Sequence, residues 1–323
     1  MSMLKSRETI LALAILALLA AIASRFPGFV APRNLARVLT DTSPLILLAL
    51  GQMAVILTKC IDLSVAANLA LCGMVAALMN GAGVPLPVIL LAVVLLGGVL
   101  GAVNGLLVWR LGIPSIVVTL GTMTIYRGSI FLMTGGAWIN AHQMSDAFKA
   151  FPRTVVLGLP VMAWIGLAGI AAMALLLTRT PLGRAFYAVG GNPHAAVYTG
   201  ISVGRTQCAA FVLSGALAGL TGYLWVARYA VAYVDIAAGF ELDVVAACVI
   251  GGIAIAGGAG SVAGAVMGAL FLGIIKNALP VVGISPFWQM AISGSAILLA
   301  IAFNAASRRD PGRIILKQAE HRT

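Results

Sequence analysis

The chain has 323 residues, of which 61% are hydrophobic and 9% are charged, and its formal net charge is +11 at pH 7. Soluble domains carry roughly 25% charged residues, so lipid is the solvent for most of this polypeptide. The positive charge does not mark a nucleic-acid platform. Arg308, Arg309, Arg313, Lys317 and Arg322 form a polar tail, Lys5 and Arg7 precede the first apolar run, and no aromatic residues interleave with them.

A membrane-spanning helix needs about 20 mainly apolar residues. The apolar runs here are continuous and helix-length, unlike the short alternating segments of a β-barrel. The expected fold is therefore all-α, a polytopic membrane helix bundle of about ten spans, or eight if two of them are re-entrant. In chain order the runs are 9 to 25, 43 to 58, 62 to 80, 86 to 109, 114 to 135, 156 to 177, 207 to 227, 242 to 257, 262 to 282 and 287 to 306. The first ends in Ala21-Ile22-Ala23, which imitates a signal-peptidase site, and is read as a retained span. Runs 62 to 80 and 242 to 257 hold polar or glycine-rich stretches and are the two re-entrant candidates. Residues 1 to 307 read as one transmembrane domain and 308 to 323 as a basic cytoplasmic tail.

Lys and Arg are retained on the cytoplasmic side of inner-membrane proteins. With both termini inside, Lys5, Arg7, Lys59, Arg110, Arg179, Arg184, Arg205 and the tail face Arg25, Arg33, Arg37, Lys149 and Arg153 outside. Spans two to five and seven to ten echo each other faintly. Asp62-Leu63-Ser64 precedes Gly97 to Gly105 with Asn104, and Glu241-Leu242-Asp243 precedes Gly264 to Gly273 with Asn277. An offset of five spans would make this an inverted repeat.

The sequence has no GxxxxGK[ST] phosphate loop, no HExxH and no GxSxG, and His142, His194 and His321 stand apart. No ATP site is expected on the chain, and an intramembrane hydrolase has no nucleophile and base to work with. Cys60, Cys72, Cys208 and Cys248 lack CxxC spacing and sit in apolar surroundings, as small packing residues do. Polar groups inside spans are costly, so Asn68, Asn104, Thr119, Thr122, Tyr126, Arg127, Asn277 and Gln289, with Trp288 as an aromatic face, are the candidate lining of a path for a polyhydroxylated solute. Interhelical hydrogen bonding is the alternative role for each of them. Arg127 has a third, snorkelling from the outer end of a span or pairing with a carboxylate. Asp62, Glu241 and Asp243 fall at span ends, where an acid also suits a helix N-terminus. Gly251-Gly252 and Gly257-Gly258-Ala259-Gly260 serve either close helix packing or a break at membrane depth.

The inner loop from Thr178 to Thr206 has Pro181 and Gly183 before a short helical piece, a Gly190-Gly191-Asn192-Pro193 turn, and a second piece from His194 to Tyr198. Two short amphipathic helices around a sharp turn suit docking on a soluble partner. Here the chain resembles the permease subunits of ribose-type sugar ABC importers. The resemblance rests on residues 50 to 73, 104 to 128, GRAFYAVGGNPHAAVYTGI (183 to 201), 240 to 273 and ISPFWQ (284 to 289). Lys59-Cys60 and Ala66-Ala67-Asn68 depart from the ribose pattern, and Thr134 to Ile139 looks more like the rhamnose and autoinducer-2 branch. Arg228 to Ile236 is most similar to rhamnose permeases, which makes rhamnose the favoured solute, with ribose, autoinducer 2 and other sugars left open.

The resemblance implies a cytoplasmic ABC ATPase subunit that uses the ATP while this chain binds no cofactor of its own. It implies a second permease, identical or homologous, and a periplasmic sugar-binding protein. Carried over, Gly190, Gly191, Asn192, Pro193, Ala195 and Ala196 fall in the ATPase-coupling segment, and Asp62, Glu241 and Asp243 in family signatures. The rival reading is a secondary sugar carrier driven by an ion gradient, which the faint repeat would also suit.

Overall fold

The computed structural model describes residues 7 to 283 together with positions 288, 291, 294 and 295. Its helices are α1 (Arg7–Arg25), α2 (Pro32–Leu57), α3 (Val65–Gly81), α4 (Leu86–Leu111), α5 (Ser115–Thr134), α6 (Asp146–Ala150), α7 (Val161–Arg179), α8 (Pro181–Gly191), α9 (Pro193–Tyr198), α10 (Val203–Tyr229), α11 (Phe240–Ile250) and α12 (Val262–Val281). Four two-residue strands make two antiparallel ribbons, β1 (Ile139–Asn140) with β4 (Val231–Ala232), and β2 (Val155–Val156) with β3 (Leu159–Pro160). The fold is an all-α polytopic membrane bundle, as expected.

Helices α1, α2, α4, α5, α7, α10 and α12 are long and apolar enough to cross a membrane, and α3 is a shorter apolar helix. The two re-entrant candidates are the places where the structure departs from full spans. Run 62 to 80 becomes helical only at Val65, and run 242 to 257 stops at Ile250. After Ile250 the backbone turns at Gly252, Gly257, Gly258 and Gly260, all with positive φ, a conformation that costs glycine little and other residues more. Run 156 to 177 starts late, at Val161, because the β2–β3 hairpin occupies 155 to 160. The tenth run, 287 to 306, lies outside the described residues apart from isolated positions. The two echoing acidic motifs differ locally, since Asp62-Leu63-Ser64 is non-helical whereas Glu241-Leu242-Asp243 lies in the first turn of α11.

Helix α2 is the central post, with 89% of its most apolar stretch buried against 11% for α1. Its polar residues cause no conflict there, because Thr40, Thr42 and Ser43 return their hydroxyls to the carbonyls of Ala36, Val38 and Leu39. Helix α4 shows the reverse of a soluble amphipathic pattern. Leu91, Leu95, Val99 and Leu106 are exposed, while Gly97, Gly101 and Gly105 form the buried face. That face meets α10 backbone to backbone: a Cβ at Gly97 would come within 2.2 Å of the Gly215 carbonyl oxygen, and one at Gly101 within 2.1 Å of that of Phe211. In lipid, where apolar side chains gain little by leaving their solvent, such close backbone approach supplies the packing energy.

The two ends of the bundle can be told apart from contacts. Ser261 donates to the Glu8 carboxylate and Tyr187 donates to the Gly260 carbonyl, so the start of α1 lies at the same end as α8. Helix α3 ends at the other end, where Asn80 bonds Ser145 ahead of α6.

Candidate coupling loop and buried polar core

Helices α8 and α9 each begin with a side-chain cap followed by proline. Thr180 Oγ1 accepts from Gly183 N at 3.1 Å with Pro181 at the first helical position, and Asn192 Oδ1 accepts from Ala195 N at 3.1 Å with Pro193 behind it. Asn192 both ends α8 and caps α9, so the two helices share one joint. The expected pair of short helices around a turn is present. Gly190 and Gly191, expected as the turn itself, form the last turn of α8.

The two glycines have different surroundings. A Cβ on Gly190 would lie 1.7 Å from the carbonyl oxygen of Leu57 and 2.3 Å from Gly258 N, while one on Gly191 meets nothing within 4 Å. Gly258 N itself donates to Leu57 O at 3.0 Å. The end of α8, the end of α2 and the turn after α11 are thus joined through backbone atoms, and Gln207 adds a bond from α10 to Thr58 O. Tyr187 completes the joint, its hydroxyl donating to Gly260 O at 3.0 Å, and burial pushes its phenol up. On the free side, Ala195 is exposed, as are Val197 at 60% and Tyr198 at 92%, whereas Ala196 is buried.

A polar cluster lies inside the bundle above this joint. Asp62 is 1% exposed, and its Oδ1 accepts from Ser64 N at 2.9 Å and from Ser64 Oγ at 2.7 Å. Ser214 Oγ approaches its other oxygen at 3.5 Å, and Gln52, with its amide turned over, pairs with the Asp62 backbone. Ser214 is nine residues along α10 from Arg205, about 13 Å at helical rise. Asp62 therefore sits at depth rather than at a span end as the sequence suggested, because 58 to 64 is a non-helical segment folded inward between helices. It is not an N-cap either, since Ser64 holds that position. Asn104 donates from α4 to Ser64 Oγ at 2.8 Å, and its Oδ1 has no partner among the described residues. Asn68 donates to Gly97 O at 3.2 Å and accepts from the Cys72 thiol at 3.2 Å.

The remaining path candidates are dispersed. Thr119 bonds Ser115 O at 2.9 Å and reaches Ile61 O at 3.4 Å, Thr122 bonds Thr119 O at 3.3 Å, and Tyr126 donates to Leu100 O at 2.8 Å. Asn277 returns its amide to Gly273 O at 2.8 Å, one turn back on α12. Trp288 is exposed at 66%, and Gln289 lies outside the described residues. Arg127 does not snorkel, and it pairs directly with no carboxylate among the described residues. It donates to the carbonyls of Val234 and of Ile236, the latter at 2.7 Å, and pins the segment after β4 to α5. Trp138 stacks on Tyr233 at 4.6 Å over the same ribbon.

Sequence reasoning missed two ion pairs. Lys276 on α12 pairs with Asp243 on α11, and its ammonium lies 5.4 Å from the Phe240 ring centroid. The signal was an ionisable residue inside an apolar run. At the end opposite α8, Arg228 reaches Asp41 at 2.7 Å, and Arg37 approaches the same carboxylate at 3.5 Å. Arg33, Arg37, Arg153 and Arg228 line a cleft of about 460 Å³ there, with Asp41 offsetting one of the four charges. None of the path candidates among the described residues lines this cleft.

The geometry defines a multi-pass helical membrane bundle with a capped two-helix projection joined by backbone contacts to its central helix. The chain belongs to the family described as branched-chain amino acid transport system / permease component, whose model matches residues 34–301. It is similar to the autoinducer 2 import system permease protein LsrC of Enterobacter sp. (strain 638), with 37% identity over 308 residues, 95% of this chain and 89% of that protein. The Salmonella typhi protein of that name is 36% identical over 303 residues (94% and 87%), and the Escherichia coli (strain K12 / DH10B) protein 37% over 287 (87% and 83%). No solved structure matches the chain. The resemblance to ribose-type permeases thus holds, and the chain is the permease component of a sugar ABC importer. The expectation of rhamnose finds no support in these relatives, which are named for autoinducer 2.

Proposed function

We propose that this chain forms the membrane path for autoinducer 2, driven by a separate ATPase that docks on α8 and α9. The observation that carries the solute is the 37% identity over 95% of the chain to a protein named as an autoinducer 2 import permease. The docking rests on the exposed Val197 and Tyr198 beside the Asn192 joint. The ATP is bound and hydrolysed by that partner, and this chain contributes no cofactor. In this reading both termini and the α8–α9 end face the cytoplasm, and Arg110, Arg179, Arg184 and Arg205 collect there as the positive-inside rule requires.

The mechanism follows from the joint. A partner that binds α8–α9 differently in its open and closed forms biases the permease by that difference in binding free energy. Gly190 is in backbone contact with Leu57, so displacement of α8 is delivered to the end of α2 and to the following segment of Asp62 and Ser64, which Asn104 grips from α4. Rigid short helices are needed, since a loop that yielded would absorb the stroke. At the opposite end, the cleft of Arg33, Arg37, Arg153 and Arg228 offers a net positive face to acidic groups of a periplasmic binding protein. A second permease, identical or homologous, completes the assembly.

The test is to assemble the chain with its ATPase and a loaded binding protein and to measure ATP hydrolysis with autoinducer 2, rhamnose and ribose in turn. Stimulation by autoinducer 2 above the other two is expected. Stimulation by rhamnose or ribose alone would overturn the solute assignment and leave the subunit's role standing.

A further inference from the structure

At the α8 end, an apolar groove of about 560 Å³ opens between α4, α7, α8 and α10, walled by Leu176, Leu182, Val212, Leu213 and Ala216 and closed at one end by Trp109 and Arg205. The indole of Trp109 is seated on α10, for a Cβ on Gly204 would lie 1.7 Å from the ring. Two guanidiniums flank that fixed ring, Arg110 at 4.6 Å and Arg205 at 5.9 Å from its centroid. Neither arginine forms an ion pair with a carboxylate among the described residues. Leu182 at 38% and Val212 at 37% exposure leave the groove open at the bundle surface.

We propose that this groove seats an anionic phospholipid, an acyl chain lying along Leu176, Val212 and Leu213 and the phosphate held by Arg110 and Arg205. The complementarity is twofold: an apolar trough suits a hydrocarbon chain, and a pair of cations free of carboxylates at its mouth suits a negative headgroup. Trp109 holds both cations at the boundary between them, where amphipathic rings sit in membrane proteins. Because the groove is built from α4, α7, α8 and α10 together, an occupant there braces α8 against the spans that carry it. The site stands on this geometry and does not depend on which solute is carried.

Native mass spectrometry of the full chain, released from detergent in the presence of phosphatidylglycerol or phosphatidylcholine, tests it. The wild type retains phosphatidylglycerol in preference, and R110Q/R205Q loses that preference by about thirty-fold, the effect of two surface arginines on an anionic lipid. Val212→Trp fills the trough from an exposed position, leaves both guanidiniums in place, and lowers retention of either lipid. Melting temperatures in phosphatidylcholine report that each variant is folded. Equal retention of phosphatidylglycerol by the wild type and either folded variant would overturn the proposal. So would inorganic phosphate at millimolar concentration displacing the lipid's effect, or a photo-crosslinker at position 212 capturing a protein instead of a lipid.

Discussion

Asn104 on α4 donates its side-chain amide to Ser64 Oγ at 2.8 Å, and that hydroxyl in turn donates to Asp62 Oδ1 at 2.7 Å. Three buried polar residues are thereby linked, with only Asn104 Oδ1 left unpaired among the described residues, and the segment ahead of α3 is tied to α4. Ser64→Ala cuts the chain in the middle and leaves the Asn104 amide without its acceptor and Asp62 short of a donor. A loss of about 1–3 kcal/mol is expected, the usual cost of a buried group left unpaired. Thermal unfolding in detergent reads it, and a melting temperature equal to the wild type's would show the network to be dispensable.

The two glycines at the end of α8 separate folding from coupling. Gly190→Val drives a side chain into Leu57 O and Gly258 and prevents normal assembly, seen as loss of monodisperse protein. Gly191→Val has open space and normal backbone, so the chain inserts and folds, while the new branched group stands on the docking face. ATP hydrolysis without uptake is the expected phenotype of Gly191→Val. Normal coupled uptake in that variant would remove Gly191 from the docking surface.

Lys276 and Asp243 bind α12 to α11, with side-chain exposures of 29% and 11%. Lys276→Met leaves a mostly buried carboxylate without its cation and is expected to cost about 3 kcal/mol, the low end for a broken buried pair given the partial exposure. Lys276→Met combined with Asp243→Leu recovers most of that loss, since neither charge remains. The double-mutant cycle measured by unfolding checks this, and additive losses would mean that the pair is not coupled.

Charge reversal at the opposite end addresses the binding protein. Arg33→Glu with Arg37→Glu converts the cleft's net positive face to a negative one while leaving the Arg228–Asp41 pair in place. Stimulation of ATP hydrolysis by the loaded binding protein should fall, and the wild-type stimulation should weaken with added salt, because charges separated by more than about 8 Å are screened at physiological ionic strength. Stimulation unchanged in the variant and insensitive to salt would place docking elsewhere.

The projecting loop was legible in the sequence because its signals are local: Thr180-Pro181, Asn192-Pro193 and the glycines between them each have one physical meaning at a helix end. The spans were legible for the same reason, an apolar run needing no partner to be recognised. The depth of Asp62 was not, since the six residues between Thr58 and Val65 look like a tight connection unless the fold shows them tucked between α2, α4 and α10. Pairings across long separations were equally hidden: Lys276 with Asp243, Arg228 with Asp41, and Gly190 against both Leu57 and Gly258. Arg127 illustrates the limit well, for its partners are backbone carbonyls, which no sequence pattern marks.

Uptake into proteoliposomes holding this chain with its ATPase and binding protein tests the central claim most directly. Solute accumulation should require ATP on the α8–α9 side and persist when ionophores collapse the proton and sodium gradients. Uptake that proceeds without the ATPase and disappears with the gradients would contradict the account and make the chain an ion-driven carrier.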